Sequence, residues 1–172
     1  IYLNRIYEVL ATTTTDIPTD GIKKDPPTWL DAGATNRWRM FDESVGSLTE
    51  QTGSIAVVVT PGAVINSLAL FNVRGRDAVV ELTDPVDGIV YQKTVQLIDA
   101  GVTNRYDWFF SPIPRQTDFV LLDIPAYGTA ALSVTVNNAD ASAAVGNFVI
   151  GRQSTIGAAV YGTSVGIIDY SR

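Results

Sequence analysis

The 172-residue chain contains no cysteine and no histidine. Without cysteine there is no disulfide framework, no thiolate nucleophile and no Cys-ligated zinc, haem or iron–sulfur centre. Without histidine the commonest general base near neutral pH is gone, and so is the commonest transition-metal ligand. Glutamate and lysine are scarce too, at 4 and 3 residues, which leaves exposed helical faces short of their usual formers. Charged residues make up only 17% of the chain, and 18 acidic against 12 basic residues give a net charge of −6. A nucleic-acid binder needs a basic face to displace counterions, so no nucleic-acid partner is expected. No apolar run approaches the roughly 18 residues of a membrane-spanning helix, so no membrane insertion is expected. The opening Ile1-Tyr2-Leu3 has no basic n-region, so no signal peptide is expected, and whether the natural protein continues past Arg172 is left open.

What is present favours strands. The chain carries 20 Val, 14 Ile and 18 Thr, and β-branched side chains suit a pleated surface better than a helix. The length fits one domain with a real core, plus a loosely attached arm. Residues 1–28 read as that arm or a long loop: the tract from Thr12 to Gly21 is polar and turn-rich, and Pro26-Pro27 force an extended entry into Trp29. Residues 29–172 read as the domain. From Ser54 onward strand signals come at short spacing: Ser54–Thr60, Val64–Val73, Asp77–Thr83, Ile89–Leu97, the aromatic run Tyr106–Phe110, Asp118–Ile124, Thr129–Val136, Ala143–Gly151, Ala158–Tyr161 and Gly166–Tyr170. Asp84-Pro85-Val86-Asp87-Gly88 is a hairpin turn by composition, because Pro presets one turn angle and Gly accepts positive φ. Asn137-Asn138-Ala139-Asp140 and Arg74-Gly75-Arg76-Asp77 also read as turns. Thr129–Val136 alternates apolar and small polar residues, as a strand with one buried face does. The expected fold is all-β, an antiparallel β-sandwich, with no convincing amphipathic helix.

The apparent catalytic motifs fail on chemistry. Gly162-Thr163-Ser164-Val165-Gly166 spells G-x-S-x-G, but a nucleophile elbow needs a strand–turn–helix setting and a histidine to take the serine proton. It reads as a turn. The carboxylate groups Asp16 and Asp20, Asp42 and Glu43, and Asp84 and Asp87 could act on a glycosidic bond only if held at the right separation, whereas turn residues capping their own backbone explain them more simply. No cofactor is expected; a structural Ca²⁺ on loop oxygens is the one metal this composition could serve. Neither a Walker A nor a G-x-G-x-x-G loop occurs. Among the aromatics, Trp38 and Phe41 are expected to plug one end of the core. Trp29, after two prolines, is expected to anchor the arm or touch a partner.

The run Trp29-Leu30-Asp31-Ala32-Gly33-Ala34-Thr35-Asn36-Arg37-Trp38-Arg39-Met40-Phe41-Asp42, of pattern W-x-D-x-G-x-x-N-x-W-x-M-F-D, resembles the opening of a domain found in tailed-bacteriophage virion proteins. Asn66–Phe71, Tyr106–Ile113, Gly151-Arg152 and Tyr161–Arg172 are similar to later parts of that domain, so the resemblance spans residues 29–172. It implies a tail, tail-tip, baseplate or collar component with a galactose-binding-like jelly-roll, located in the virion and carrying no enzymatic activity. Its partners would be other phage tail proteins and further copies of itself. The alternative on the same fold is a module for host-surface polysaccharide, and an enzyme acting on glycans stands well behind both. For either of the first two readings the residues to examine are Trp29, Trp38, Trp108, Asp31 and Asp42.

Overall fold

The computed structural model describes residues 1–44, 46–98, 105–110 and 115–154. Nine strands are described: β1 (Arg5–Val9), β2 (Trp29–Ala34), β3 (Thr49–Val59), β4 (Ser67–Phe71), β5 (Asp77–Asp84), β6 (Gly88–Gln96), β7 (Phe119–Leu121), β8 (Ala131–Val145) and β9 (Asn147–Gly151). Helical structure is confined to short pieces: α1 (Pro18–Gly21), a 3-10 helix (Asn36–Phe41) and α2 (Arg105–Phe110). The protein is therefore all-β, and every strand pairing is antiparallel.

The strands form three sheets: a β1-β2 ribbon, a four-stranded sheet in the order β3-β8-β5-β6, and a three-stranded sheet in the order β7-β4-β9. One apolar cluster draws on both larger sheets, with Ala78, Val80, Leu82, Leu132, Val134 and Val136 from one and Leu68, Leu70, Phe119, Leu121 and Phe148 from the other. The alternation seen in the sequence sets this face. In β5, Ala78, Val80 and Leu82 are buried while Val79, Glu81 and Thr83 turn outward.

The β5–β6 hairpin forms where the sequence placed it. Asp84 pairs with Gly88, and Gly88 takes φ +75°, a value its missing side chain permits. The Asp84 carboxylate accepts the N–H groups of Val86 and Asp87, so the turn is capped by its own first residue.

Other expectations require correction. Tyr106–Phe110 is helical, as part of α2, not a strand. Asn137–Asp140 does not end a strand: β8 runs straight through it, with residues 139–141 looped out between Asn138, opposite Gly53, and Ser142, opposite Thr52. The Asn138 side chain spans the bulge by donating to the Ser142 carbonyl at 2.8 Å. Arg74–Asp77 is not a hairpin turn either. Arg74 bridges to Ala144 and the Arg76 N–H donates to the Asn137 carbonyl, so this segment lies against β8 as it leads into β5. Within residues 1–28, β1 pairs with β2 across the residue-28 boundary. The strands expected at 158–161 and 166–170, and the G-x-S-x-G motif, lie outside the described residues.

Candidate functional site

The 3-10 helix fastens to the start of the edge strand β3. Asn36 exchanges two hydrogen bonds with the Glu50 main chain, at 2.9 and 3.0 Å. Thr49 donates its hydroxyl to the Asn36 carbonyl and accepts the Met40 N–H. These contacts turn Met40 into the core, where it is 2% exposed, and leave Trp38 outside at 42%. The aromatic rings then form a chain from surface to interior: Trp38 lies 5.8 Å from Phe41, and Phe41 meets the buried Phe148 edge-on at 5.6 Å. Trp38 and Phe41, expected to plug this end of the core, instead form a half-exposed cover over it, and the buried plug is Met40.

Between this helix and β3 runs a groove of about 710 Å³. Met40, Ile55, Val57 and Val59 give it an apolar floor, and Asn36, Arg37, Trp38 and Gln51 give it a polar and aromatic rim. Arg37 is exposed and forms no ion pair among the described residues. Beyond Glu50 the outer edge of β3 has no neighbouring strand among the described residues, since β8 occupies its other side.

The remaining sequence candidates do not converge here. Trp29 is committed to the arm: its indole N–H donates to the Asp16 carbonyl at 3.0 Å and its ring packs over Gly21. Asp31 accepts from Arg5 at 2.8 Å and from the Gly33 N–H at 2.9 Å. Burial opposes its ionisation, but those two donors outweigh it and hold the carboxyl below the usual range. Asp42 caps its own loop, accepting from the Ser44 N–H and the Ser47 hydroxyl. It lines a separate hollow of about 400 Å³ with Gly33 and Arg39. Trp108 lies on α2, and its side chain is outside the described residues.

A second surface was not singled out from the sequence. On the outer side of the three-stranded sheet, Ala69 is paired with Val120 on one flank and Val149 on the other, forming one row. Val120, Leu122 and Val149 are 53%, 55% and 45% exposed. No charged residue occurs in β4, β7 or β9. The four-stranded sheet differs in mixing polar residues into its outer rows, Val58–Ser133–Glu81–Gln92 and Ala56–Thr135–Val79–Thr94. The signal was available in the runs Ser67–Phe71, Phe119–Leu122 and Phe148–Ile150, which are nearly continuous rather than alternating. Such runs mark strands covered on both faces.

No group of three or more acidic side chains converges as a metal cage among the described residues, and no described helix is long and apolar enough to cross a membrane. No family model, no curated protein and no solved structure matches the chain. The groove and the outer sheet face each offer apolar area.

Proposed function

We propose that this chain is a non-catalytic structural subunit of a bacteriophage tail, in the tip, baseplate or collar region, docking on neighbouring virion subunits. The observation that carries the reading is the uncharged outer face of the β7-β4-β9 sheet. An antiparallel sheet packed on one side ordinarily turns polar residues to water on the other, and the outer rows of the four-stranded sheet carry Ser133, Glu81, Gln92, Thr135 and Thr94 among their apolar residues. A face of Val120, Ala69, Val149 and Leu122 is the surface of a subunit whose neighbour covers it. The finer fold reading is a jelly-roll-like β-sandwich, supported by one core fed from two antiparallel sheets and by a chain that passes repeatedly between them. The phage assignment rests on the sequence resemblance over residues 29–172.

The test is incorporation into particles. With the natural neighbours co-expressed, the wild-type chain enters tails. The double variant Val120→Lys, Val149→Lys folds normally, because both positions are exposed, yet stays out of them. Retention of that variant in particles would overturn the reading.

A second reading, host-surface polysaccharide binding, draws on Trp38, whose half-exposed ring stands beside Asn36, Arg37 and Gln51 on the groove rim. Host polysaccharide that shifts tryptophan fluorescence in the wild type but not in Trp38→Phe would favour it.

A further inference from the structure

The β1-β2 ribbon has one partly covered face and one open face. Val9 lies opposite Trp29 and Tyr7 opposite Asp31 on the first. Residues 11–28 cover the Trp29 end of that side and leave Val9 exposed; they are tied down through Asp16, which accepts from Lys24, from the Thr28 hydroxyl and, at its carbonyl, from the Trp29 indole. On the other side Ile6 and Glu8 share a face two residues apart, Leu30 stands opposite Glu8, and Leu10 follows in step. Ile6, Leu10 and Leu30 are exposed, and Glu8 has no charged partner among the described residues. Among the described residues the outer edge of β1 is also without a neighbouring strand. A two-stranded ribbon with a bare apolar face is marginal on its own.

The groove beside β3 presents the complement. Its floor is apolar, and among the described residues no strand pairs with the outer edge of β3 beyond Glu50. Its rim carries Arg37, a guanidinium without an ion pair, against the ribbon's unpaired carboxylate. The ribbon is also short enough for the groove: five residues of β1 reach about 17 Å, and the seven residues Gly53–Val59 of β3 span about 23 Å.

No residue of the ribbon lines the groove of its own subunit. Arg5 pairs with Ala34 and the Thr35 N–H donates to the Asn4 carbonyl, which fixes the ribbon's base one residue before the 3-10 helix begins.

We propose that the β1-β2 ribbon of one copy seats in the β3 groove of a second copy, with Ile6, Leu10 and Leu30 on the groove floor and Glu8 against Arg37. This rests on the reading of the chain as an assembly subunit and names a second copy as the partner for this site. The contact is heterologous, one surface meeting a different one, so repetition yields closed rings or open filaments.

Light scattering after size exclusion, on the full chain across a concentration series, is the test. Wild type associates. Glu8→Arg and Arg37→Glu each weaken association by about tenfold or more, and the two together restore it. Ile6→Asp with Leu30→Asp abolishes donation but keeps the groove, whereas Arg37→Glu with Val57→Asp abolishes the groove but keeps the ribbon. Mixed, those two double variants form a 1:1 dimer and nothing larger. Thermal unfolding of each variant verifies folding; because the charge reversals are at exposed positions, they keep the test decisive even if Val57→Asp unfolds. A wild type that stays monomeric at the highest concentration, or a charge swap that fails to restore association, overturns the proposal. Particle incorporation of Val120→Lys, Val149→Lys is read separately, so loss of this inference leaves the docking reading standing, and the reverse.

Discussion

The side chain of Asn36 meets the main chain of Glu50 on both counts: Nδ2 donates to its carbonyl at 2.9 Å and Oδ1 accepts its N–H at 3.0 Å. One side chain thereby does at this point of the β3 edge what a neighbouring strand would do. Two bonds worth about 0.5–1.5 kcal/mol each are lost in Asn36→Ala, so the unfolding free energy falls by about 1–2 kcal/mol in a urea titration with unchanged slope. An unchanged midpoint would mean that water replaces the amide completely.

Gly75 sits where β8 leaves no room. A Cβ there would lie 2.7 Å from Val136 Cγ1 and 3.0 Å from the Asn137 carbonyl oxygen, a backbone atom that cannot step aside. Gly75→Ala therefore costs about 1–3 kcal/mol. At about 2–4 °C per kcal/mol for a chain of this size, the Tm falls by several degrees. A Tm equal to wild type would show that β8 yields at this point.

Acid sensitivity follows from two buried carboxylates. The Asn137 amide, aided by Arg76 and opposed by burial, holds Asp77 below the ordinary carboxylate range. The Thr129 hydroxyl, at 2.5 Å, does the same for Asp84, with the Val86 N–H adding to it. Both pKa values are depressed on folding, so their stabilisation is present above the unfolded value near 3.9 and is lost as pH falls through the folded values. The urea midpoint should hold from neutral pH to about 5 and drop below about 4. Thr129→Val should flatten that drop. A wild-type midpoint unchanged down to about pH 2 would exclude both carboxylates as its source.

At the alkaline end the group to watch is Tyr91. Burial, reinforced by its hydrogen bond to Asp123, pushes its phenol up to about 12. The native state favours the neutral ring, so this stabilisation is complete below the unfolded value of about 10 and disappears as pH rises through the folded one. The difference between wild-type and Tyr91→Phe titrations at the phenolate absorbance should show one tyrosine ionising near 12. A difference centred at about 10 would place the Tyr91 hydroxyl in water.

The sequence revealed those parts of the fold whose causes are local. The β5–β6 hairpin was readable because Asp84 and Gly88 carry the turn chemistry themselves. Asn137–Asp140 misled for a related reason: the same Asx chemistry that ends strands here lets Asn138 bridge a bulge inside one. Tyr106–Phe110 offered aromatic β-propensity without a period, and such propensity is decided by context. Trp29 and Trp38 stood out in sequence alike, yet Asp16 occupies the first while the second stays half exposed. The groove itself could not be read from the sequence, since residues 36–41 and 55–60 form its walls only after tertiary contact.

β8 lies between β3 and β5, yet it leaves the ribosome after both of them. Its residues pair with β3 across separations such as Thr49 to Val145, whereas β5 and β6 join through a local turn. During synthesis the hairpin can close early, while β3 must wait, its valines unpaired, until nearly all of the described chain has emerged. Folding is therefore gated by the late arrival of one strand, and a chain truncated before residue 131 holds β3 with no place in the sheet. In a cell making many copies at once, that waiting interval is when this protein most needs a chaperone.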